Sequence, residues 1–151
     1  MPEKSKLASK TEEEFRRLSV ELRLLEQTAE AIQSRINMVN AVLTDLNYAN
    51  MTLDSLDKEK ENAEILVPIG GSSYIKAKLD NPDKLIVGMG AGVSIEKTQA
   101  EAKEIVKKRL EDLSKTQMAL QQQFAQVVDK ISDNRNKIEA IVAQVQKRKE
   151  A

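Results

Sequence analysis

The chain of 151 residues carries 24 basic and 24 acidic side chains, so it has no strong overall field to attract nucleic acid or an anionic membrane. It has neither cysteine nor histidine, which excludes disulfides, thiol catalysis and zinc–thiolate sites and removes the commonest general base and metal ligand. Aromatic residues are only 3% of the chain, and the other apolar residues are mostly aliphatic, which suits a narrow seam between helices better than a thick core.

The first long segment, about residues 9–61, carries a heptad repeat typical of a coiled coil. All seam positions except Asn50 are apolar: Phe15, Leu18, Leu22, Leu25, Ala29, Ile32, Ile36, Val39, Leu43, Leu46, Asn50 and Leu53. Thr11 with Glu14, or alternatively Ser9 with Glu12, has the spacing of a capping box and predicts the start of the helix. The periodicity is lost near residues 60–62, so we expect the helix to end there. A helix of about fifty residues would span roughly 75 Å.

The second long segment, about residues 98–149, begins with another capping box, Thr98 with Glu101. Its seam positions alternate in steps of four and three: Val106, Leu110, Leu113, Gln117, Leu120, Phe124, Val127, Ile131, Asn134, Ile138, Ile141 and Val145. We interpret the polar seam residues Asn50, Gln117 and Asn134 as register control and not as ligands, because a polar seam residue penalises slipped pairings.

Two segments of similar length with a short connection most simply form one antiparallel coiled coil within the chain. This pairing places Leu53 near Val106 and Phe15 near Val145, and it brings both chain ends to a tip that should fray. Parallel pairing between two chains is the alternative.

Residues of about 64–97 contain all five glycines and form the only stretch with strand-like patterning. Four short strands are predicted, at residues 65–69, 72–79, 84–89 and 93–97, arranged as two hairpins. Gly70-Gly71 has the chemistry of a hairpin turn, and Asp80-Asn81-Pro82-Asp83 that of a turn between the hairpins. Pro68 lacks an amide donor and therefore indicates an edge position or a bulge.

Two hairpins of five or six residues are too small to be stable alone, and their unpaired edges invite further pairing. Their apolar residues exceed what a two-helix stalk could cover. We therefore predict an oligomer held together at this region, in which strands of neighbouring chains complete a barrel. The candidate oligomerisation residues are Ile65, Val67, Ile69, Tyr74, Ile75, Leu79, Leu85, Val87, Val93 and Ile95.

No motif indicates catalysis or a cofactor. Gly88-Met89-Gly90-Ala91-Gly92 does not complete the dinucleotide fingerprint, because Val93 stands where the third glycine would be, and a strand follows it instead of a helix. Glycines at a hairpin turn explain the same residues. The basic run at residues 147–149 is too short to indicate nucleic-acid binding. We expect no enzyme, no cofactor and no metal site.

No apolar run approaches the roughly eighteen residues of a membrane span, and the N-terminus lacks the hydrophobic segment of a secretory signal. We therefore expect a soluble cytoplasmic protein.

The central segment resembles that of archaeal prefoldin alpha subunits, also called GimC alpha. The matching features are the runs LVPIG (residues 66–70), YIKA (74–77) and KLIVGMGAGV (84–93), followed by Glu96-Lys97 at the start of the second helix. The order of helix, strands and helix agrees as well, so the resemblance covers a single prefoldin-like domain of residues 1–151. Two hairpins fit the alpha type better than the beta type.

The resemblance implies a heterohexamer of two alpha and four beta subunits, in which the hairpins build a double β-barrel platform and six coiled coils extend from it. It implies that unfolded polypeptides are held between the distal tips without ATP and passed to a group II chaperonin. Neither nucleic acid nor membrane is an implied partner. A structural coiled-coil adaptor that binds one defined partner is the alternative function.

Residues near the predicted tip are the candidates for binding unfolded polypeptides, because mobile apolar surface binds without sequence preference. They are Leu7, Phe15, Leu18, Leu22, Ile138, Ile141, Val142 and Val145. Val142 lies off the main seam, which favours exposed contact. For Phe15, Leu18 and Ile141, ordinary seam packing is an equally good interpretation.

Overall fold

The computed structural model describes residues 2–150, so Met1 and Ala151 of the predicted domain lie outside the described residues. The elements follow one another as α1 (Pro2–Leu56), β1 (Glu64–Gly70), β2 (Ser73–Lys78), β3 (Leu85–Gly90), β4 (Val93–Lys97) and α2 (Gln99–Glu150). Strand β1 pairs with β2 and β3 pairs with β4, which gives two separate two-stranded antiparallel sheets. The predicted fold class, two long coiled-coil helices joined by two hairpins, is confirmed.

Helix α1 begins and ends earlier than the sequence signals predicted. Thr11 does not cap the helix, because its hydroxyl donates to the carbonyl of Leu7, four residues back, at 2.8 Å. Proline is tolerated at the start of a helix because the first amides have no partner within the helix, so Pro2 can open α1. The helix ends at Leu56. Asn62, which was predicted to lie at its end, has a left-handed backbone with φ of 65° in the following loop.

The start of helix α2 is where the capping box predicted it. The amide of Glu101 donates to Oγ1 of Thr98 at 3.2 Å, so Thr98 caps the helix. The amide of Gln99 donates to Oδ1 of Asp83 at 3.2 Å. Two of the amides that the first turn leaves unpaired thus have side-chain partners.

The described residues divide into two units. The arm unit comprises residues 2–39 and 116–150, and the hairpin unit comprises residues 40–115. Over residues 2–150, neither helix contains a stretch that is long and apolar enough to cross a membrane.

The core of the arm unit is a seam between its two helical segments. Ile32, Ile36 and Leu120 are buried against one another, with Val39, Phe124 and Val127 packed beside them. Further along the same helices, Arg135 forms an ion pair with Glu26 at 2.8 Å. From the cluster to the ion pair, α1 runs backward from Ile36 to Glu26 while α2 runs forward from Leu120 to Arg135. The two helices of this unit are therefore antiparallel.

One buried residue of the arm unit is polar. Asn134 is only 4% exposed, and its Oδ1 atom has no hydrogen-bond partner within residues 2–150. It occupies a seam position, as the heptad repeat predicted, while Asn50 and Gln117 are half-buried.

The core of the hairpin unit consists of the buried residues Leu53, Ala102 and Val106. Leu53 lies beside Val106, as the antiparallel pairing predicted. The partly buried residues packed against this cluster come from both helices and from β3: Leu46, Ala49, Leu56, Leu85, Val87 and Leu110. We call it the junction cluster, because it is where the second hairpin meets the helices.

The two hairpins share one design. Hairpin 1 (β1–β2) pairs Val67 with Ile75, and hairpin 2 (β3–β4) pairs Val87 with Ile95. Each has a two-residue turn whose central residues both have positive φ: Gly71 and Ser72 at 57° and 58°, Ala91 and Gly92 at 50° and 76°. Positive φ at both positions is the requirement of a type I′ turn, whose twist matches that of the strands.

Each hairpin also has a register shift just before its turn, between Pro68 and Gly70 in hairpin 1 and between Gly88 and Gly90 in hairpin 2. Pro68 was predicted to mark an edge position or a bulge, and the register shift that directly follows it agrees with the bulge. Gly70 and Gly90 both have φ of 100°, which side-chain-bearing residues rarely adopt.

Candidate functional site

An open groove lies in the arm unit, between the N-terminal turns of α1 and the C-terminal turns of α2. It encloses about 930 Å³. Its apolar wall contains Phe15, Ile141, Val142 and Val145. The complete lining is Ala8, Thr11, Glu12, Phe15, Arg16, Ser19, Ile141, Val142, Val145, Gln146, Arg148 and Lys149. We call it the tip groove.

The tip groove exists because the seam no longer closes at its outer end. Leu18 is 3% exposed, whereas Phe15, one seam position further out, is 41% exposed, and Val145 on the other helix is 37% exposed. In a coiled coil of two helices each seam side chain has only one partner helix to cover it. Apolar area at the end of the seam therefore remains accessible to other molecules.

The structure brings together four of the eight residues predicted for the tip. Phe15, Ile141, Val142 and Val145 all line the groove. The other four do not: Leu7 is exposed, Leu18 is buried, and Leu22 and Ile138 are half-buried. Leu18 could contact another molecule only if the two helices part. The role of each of the eight in binding stays a prediction.

The heptad pattern did not point to the other α1 residues that line the groove around Phe15. Ala8, Thr11, Glu12 and Ser19 follow one another at helical spacing from Phe15, three, four or seven residues away. That spacing was a usable signal, because residues three and four apart share a helix face. A search for apolar seam positions passes over such residues.

Hairpin 1 presents apolar side chains on both of its faces. On one face lie Val67 and Ile75, which are 40% and 56% exposed, and on the other lie Leu66 and Tyr74, which are 62% and 60% exposed. Beyond the last paired residues, the amide of Leu79 donates to the carbonyl of Ala63 at 2.9 Å and extends the ladder. Strands that are apolar on both faces are typical of sheets covered on both sides.

Hairpin 2 is attached to the helices of its unit. Leu85 and Val87 pack against the junction cluster. The guanidinium of Arg109 on α2 donates to the carbonyl of Gly88 at 2.6 Å, next to the bulge. The chain's own helices therefore supply part of the burial of Leu85 and Val87, and the role of these two residues in oligomerisation stays a prediction.

Hairpin 2 leaves apolar side chains exposed on both faces, since Val93 and Ile95 share the face of Val87 and Ile86 lies on the other. Val93 and Ile95 of the predicted set are 54% and 43% exposed. Ile86, which was not in that set, is 80% exposed. The alternation of the strand places Ile86 on the face opposite to Leu85 and Val87.

The loop between the hairpins is held against the start of α2. Oδ1 of Asn81 accepts from the amide of Asp83 at 2.9 Å, as the predicted turn chemistry requires. Nε2 of Gln99 donates to the carbonyl of Pro82 at 2.6 Å, in addition to the bond between its amide and Asp83. These contacts tie the loop, and with it the beginning of β3, to the helix.

The chain's similarity to known proteins identifies its family. The family described as Prefoldin subunit matches residues 25–148, most of the chain. The protein belongs to the prefoldin family. Members of this family are chaperone subunits, and the resemblance seen in the central segment is confirmed. The match begins at residue 25, so the α1 wall of the tip groove precedes it.

Relatives in the prefoldin family include alpha subunits from two archaea. Prefoldin subunit alpha of Methanosarcina barkeri is 38% identical over 108 residues, which cover 70% of this chain and 75% of that protein. Prefoldin subunit alpha of Methanobrevibacter smithii is 31% identical over 133 residues, which cover 86% of this chain and 90% of that protein. The cryo-EM structure of filamentous PFD from Methanocaldococcus jannaschii superposes with a TM-score of 0.64 at 27% identity, covering 74% of this chain and 93% of that chain.

Proposed function

We propose that this chain is the alpha subunit of a chaperone that holds unfolded polypeptides without ATP. The tip groove carries the proposal, since it is apolar, open and formed where the seam ends. An unfolded chain exposes apolar side chains in no fixed order, and an open apolar groove can accept them without a specific sequence. Burying each such side chain contributes roughly 1.5–3 kcal/mol at full burial.

The hairpins would supply assembly in this proposal. Hairpin 1 is apolar on both faces, and hairpin 2 leaves Val93 and Ile95 exposed on one face and Ile86 on the other. Two-stranded sheets of this size are marginal alone and gain stability when further strands cover them. Prefoldin beta subunits in a complex of two alpha and four beta chains are the proposed partners, with the strands forming a shared barrel.

In the cytoplasm, the held polypeptide would pass to a group II chaperonin. Native mass spectrometry with a candidate beta subunit tests the assembly, because two alpha and four beta chains give a distinctive mass. A complex of another composition would contradict that part of the proposal.

Holding activity is tested by light scattering as a denatured enzyme is diluted into buffer with the assembled complex. The test variant combines Phe15→Ser, Val142→Ser and Val145→Ser, all in the groove wall. We expect it to need about tenfold more complex for the same suppression of aggregation, since it loses three apolar contacts.

The matched control combines Val20→Ser, Leu24→Ser and Val128→Ser. These side chains are also exposed and lie in the arm unit, but they do not line the groove. Equal suppression by the test and control variants would refute the groove as the holding site. Binding of one folded protein, with no suppression for several unrelated denatured enzymes, would instead support the adaptor.

A further inference from the structure

The charges of the tip groove are unbalanced, although those of the whole chain are not. Three cationic side chains line it, Arg16, Arg148 and Lys149, against the single carboxylate of Glu12. None of the three cations forms an ion pair with a carboxylate of residues 2–150. The groove therefore offers unpaired positive charge beside its apolar wall.

The helix dipole explains the location of only two of these three cations. Arg148 and Lys149 lie in the last turn of α2, where the helix dipole favours cations. Arg16 lies well inside α1, beyond the first turns over which the dipole acts. Arg16 lines the groove together with Phe15, and the helix dipole does not account for a cation at this position.

We infer that the tip groove selects polypeptide segments in which apolar side chains are flanked by aspartate or glutamate. This inference rests on the proposed function and defines which segments the groove holds best. The apolar part of such a segment covers Phe15, Val142 and Val145, and its carboxylates reach the cations at the rim. Arginine suits this role because its guanidinium is weakly hydrated and binds carboxylates through two parallel hydrogen bonds.

The apolar wall favours a polypeptide over a nucleic acid. Single-stranded nucleic acids bind on several aromatic platforms beside a continuous basic track. The groove lining contains one aromatic residue, Phe15, and the carboxylate of Glu12 would repel phosphates. An acidic peptide can combine the two chemistries of the groove, since its charges are spaced by apolar side chains.

The test is fluorescence anisotropy of labelled peptides with the full chain, alone and together with a prefoldin beta subunit. Three peptides share one apolar centre and differ in their flanks, which are glutamate, glutamine or lysine. We expect the glutamate-flanked peptide to bind roughly three- to tenfold more tightly than the glutamine-flanked one, with the lysine-flanked peptide weakest. This preference should shrink as NaCl rises from about 0.05 M to about 0.5 M.

A charge variant locates the preference. Arg16→Gln, Arg148→Gln and Lys149→Gln together should remove it, so that the glutamate- and glutamine-flanked peptides bind this variant equally. The matched control, Arg23→Gln, Lys130→Gln and Lys137→Gln, makes the same change in net charge at exposed arm-unit positions outside the groove. It should keep the preference.

The outcomes separate this inference from the proposed function. Equal binding of glutamate- and glutamine-flanked peptides overturns the inference and leaves the holding function intact. Failure of every peptide to bind overturns both. A fourth peptide has glutamate flanks around a glycine–serine centre, and a single-stranded oligonucleotide is a further probe. If either binds as tightly as the glutamate-flanked apolar peptide, the site is a simple cationic patch and the inference is wrong.

Discussion

The two hairpins have nearly the same backbone and different surroundings. Both have a type I′ turn, a bulge before the turn, and a valine paired with an isoleucine. Val87 of hairpin 2 packs against the junction cluster, and Arg109 binds the neighbouring Gly88. Within residues 2–150, no residue of hairpin 1 belongs to either hydrophobic cluster, and none of its hydrogen bonds reaches a helix.

The difference shows how one local design can serve two purposes. Hairpin 2 is stabilised in part by its own chain, through Leu85 and Val87, and leaves Ile86, Val93 and Ile95 exposed. Hairpin 1 leaves Val67 and Ile75 on one face and Leu66 and Tyr74 on the other largely exposed. Its stability depends on what covers it, since a lone hairpin is marginal in water.

The largest expected effect concerns association. Val67→Asp should weaken binding to a prefoldin beta subunit by about a hundredfold or more, because assembly would bury an unpaired carboxylate. Sedimentation of mixtures of the two subunits measures this. The isolated chain should keep its stability within about 0.5 kcal/mol, because Val67 is exposed there. Unchanged association would contradict the assignment of hairpin 1 to the interface.

The next effect concerns the stability of the isolated chain. Val87→Ala should lower the free energy of unfolding by about 1–2 kcal/mol, because it removes two methyl groups from the junction cluster. Val67→Ala is the matched control, with the same change at the equivalent position, and should cost less than about 0.5 kcal/mol. Urea unfolding followed by circular dichroism measures both. Equal losses would show that the hairpins do not differ in their attachment.

A smaller effect is expected from the bond between Arg109 and Gly88. Arg109→Ala should cost about 1 kcal/mol, because the carbonyl of Gly88 loses a charged donor. Hydrogen exchange of the β3 and β4 amides should become faster, while that of β1 and β2 should not change. Lys108→Ala removes a neighbouring exposed cation and serves as the control. Faster exchange in both hairpins would mean that Arg109 acts on the whole unit.

The smallest effects come from the turns. Ala91→Asn creates the Asn-Gly pair that type I′ turns favour, and Ser72→Gly relieves a non-glycine residue at φ of 58°. Each should stabilise its hairpin by about 0.5 kcal/mol. The gain from Ala91→Asn should raise the unfolding midpoint of the chain, because hairpin 2 is coupled to the helices. The gain from Ser72→Gly should appear only as slower hydrogen exchange of the β1 and β2 amides.

The helical seam could be predicted from the sequence because its periodicity is local information. Leu53 lies beside Val106 as the heptads require, and Thr98 caps α2 as its spacing to Glu101 indicated. The predicted start of α1 was wrong, because a Thr followed three residues later by Glu has the same spacing inside a continuous helix as at its beginning. In the structure the hydroxyl of Thr11 binds back to Leu7 instead.

The docking of the hairpins and the composition of the tip groove depend on contacts between residues far apart in the sequence. Which hairpin docks on the helices depends on contacts between distant parts of the chain, and no residue pattern distinguishes Val67 from Val87. The strand positions themselves were predictable from alternation and turn chemistry. At the tip, Phe15, Ile141 and Val145 of the groove followed from the heptads, and Val142 from its position beside the seam. Arg16 and Arg148 did not, because charged residues on a coiled coil normally belong to its solvated face.

Asn134 has a consequence for the opening of the arm unit. While the helices are packed, its buried carbonyl oxygen has no partner within the described chain. If they part, water supplies that hydrogen bond and returns about 1–3 kcal/mol of otherwise lost solvation. Separation therefore costs less here than at Ile32 or Leu120, where only apolar area would be hydrated. Amide exchange in the arm unit should rise first on the side of Asn134 that leads to the tip groove.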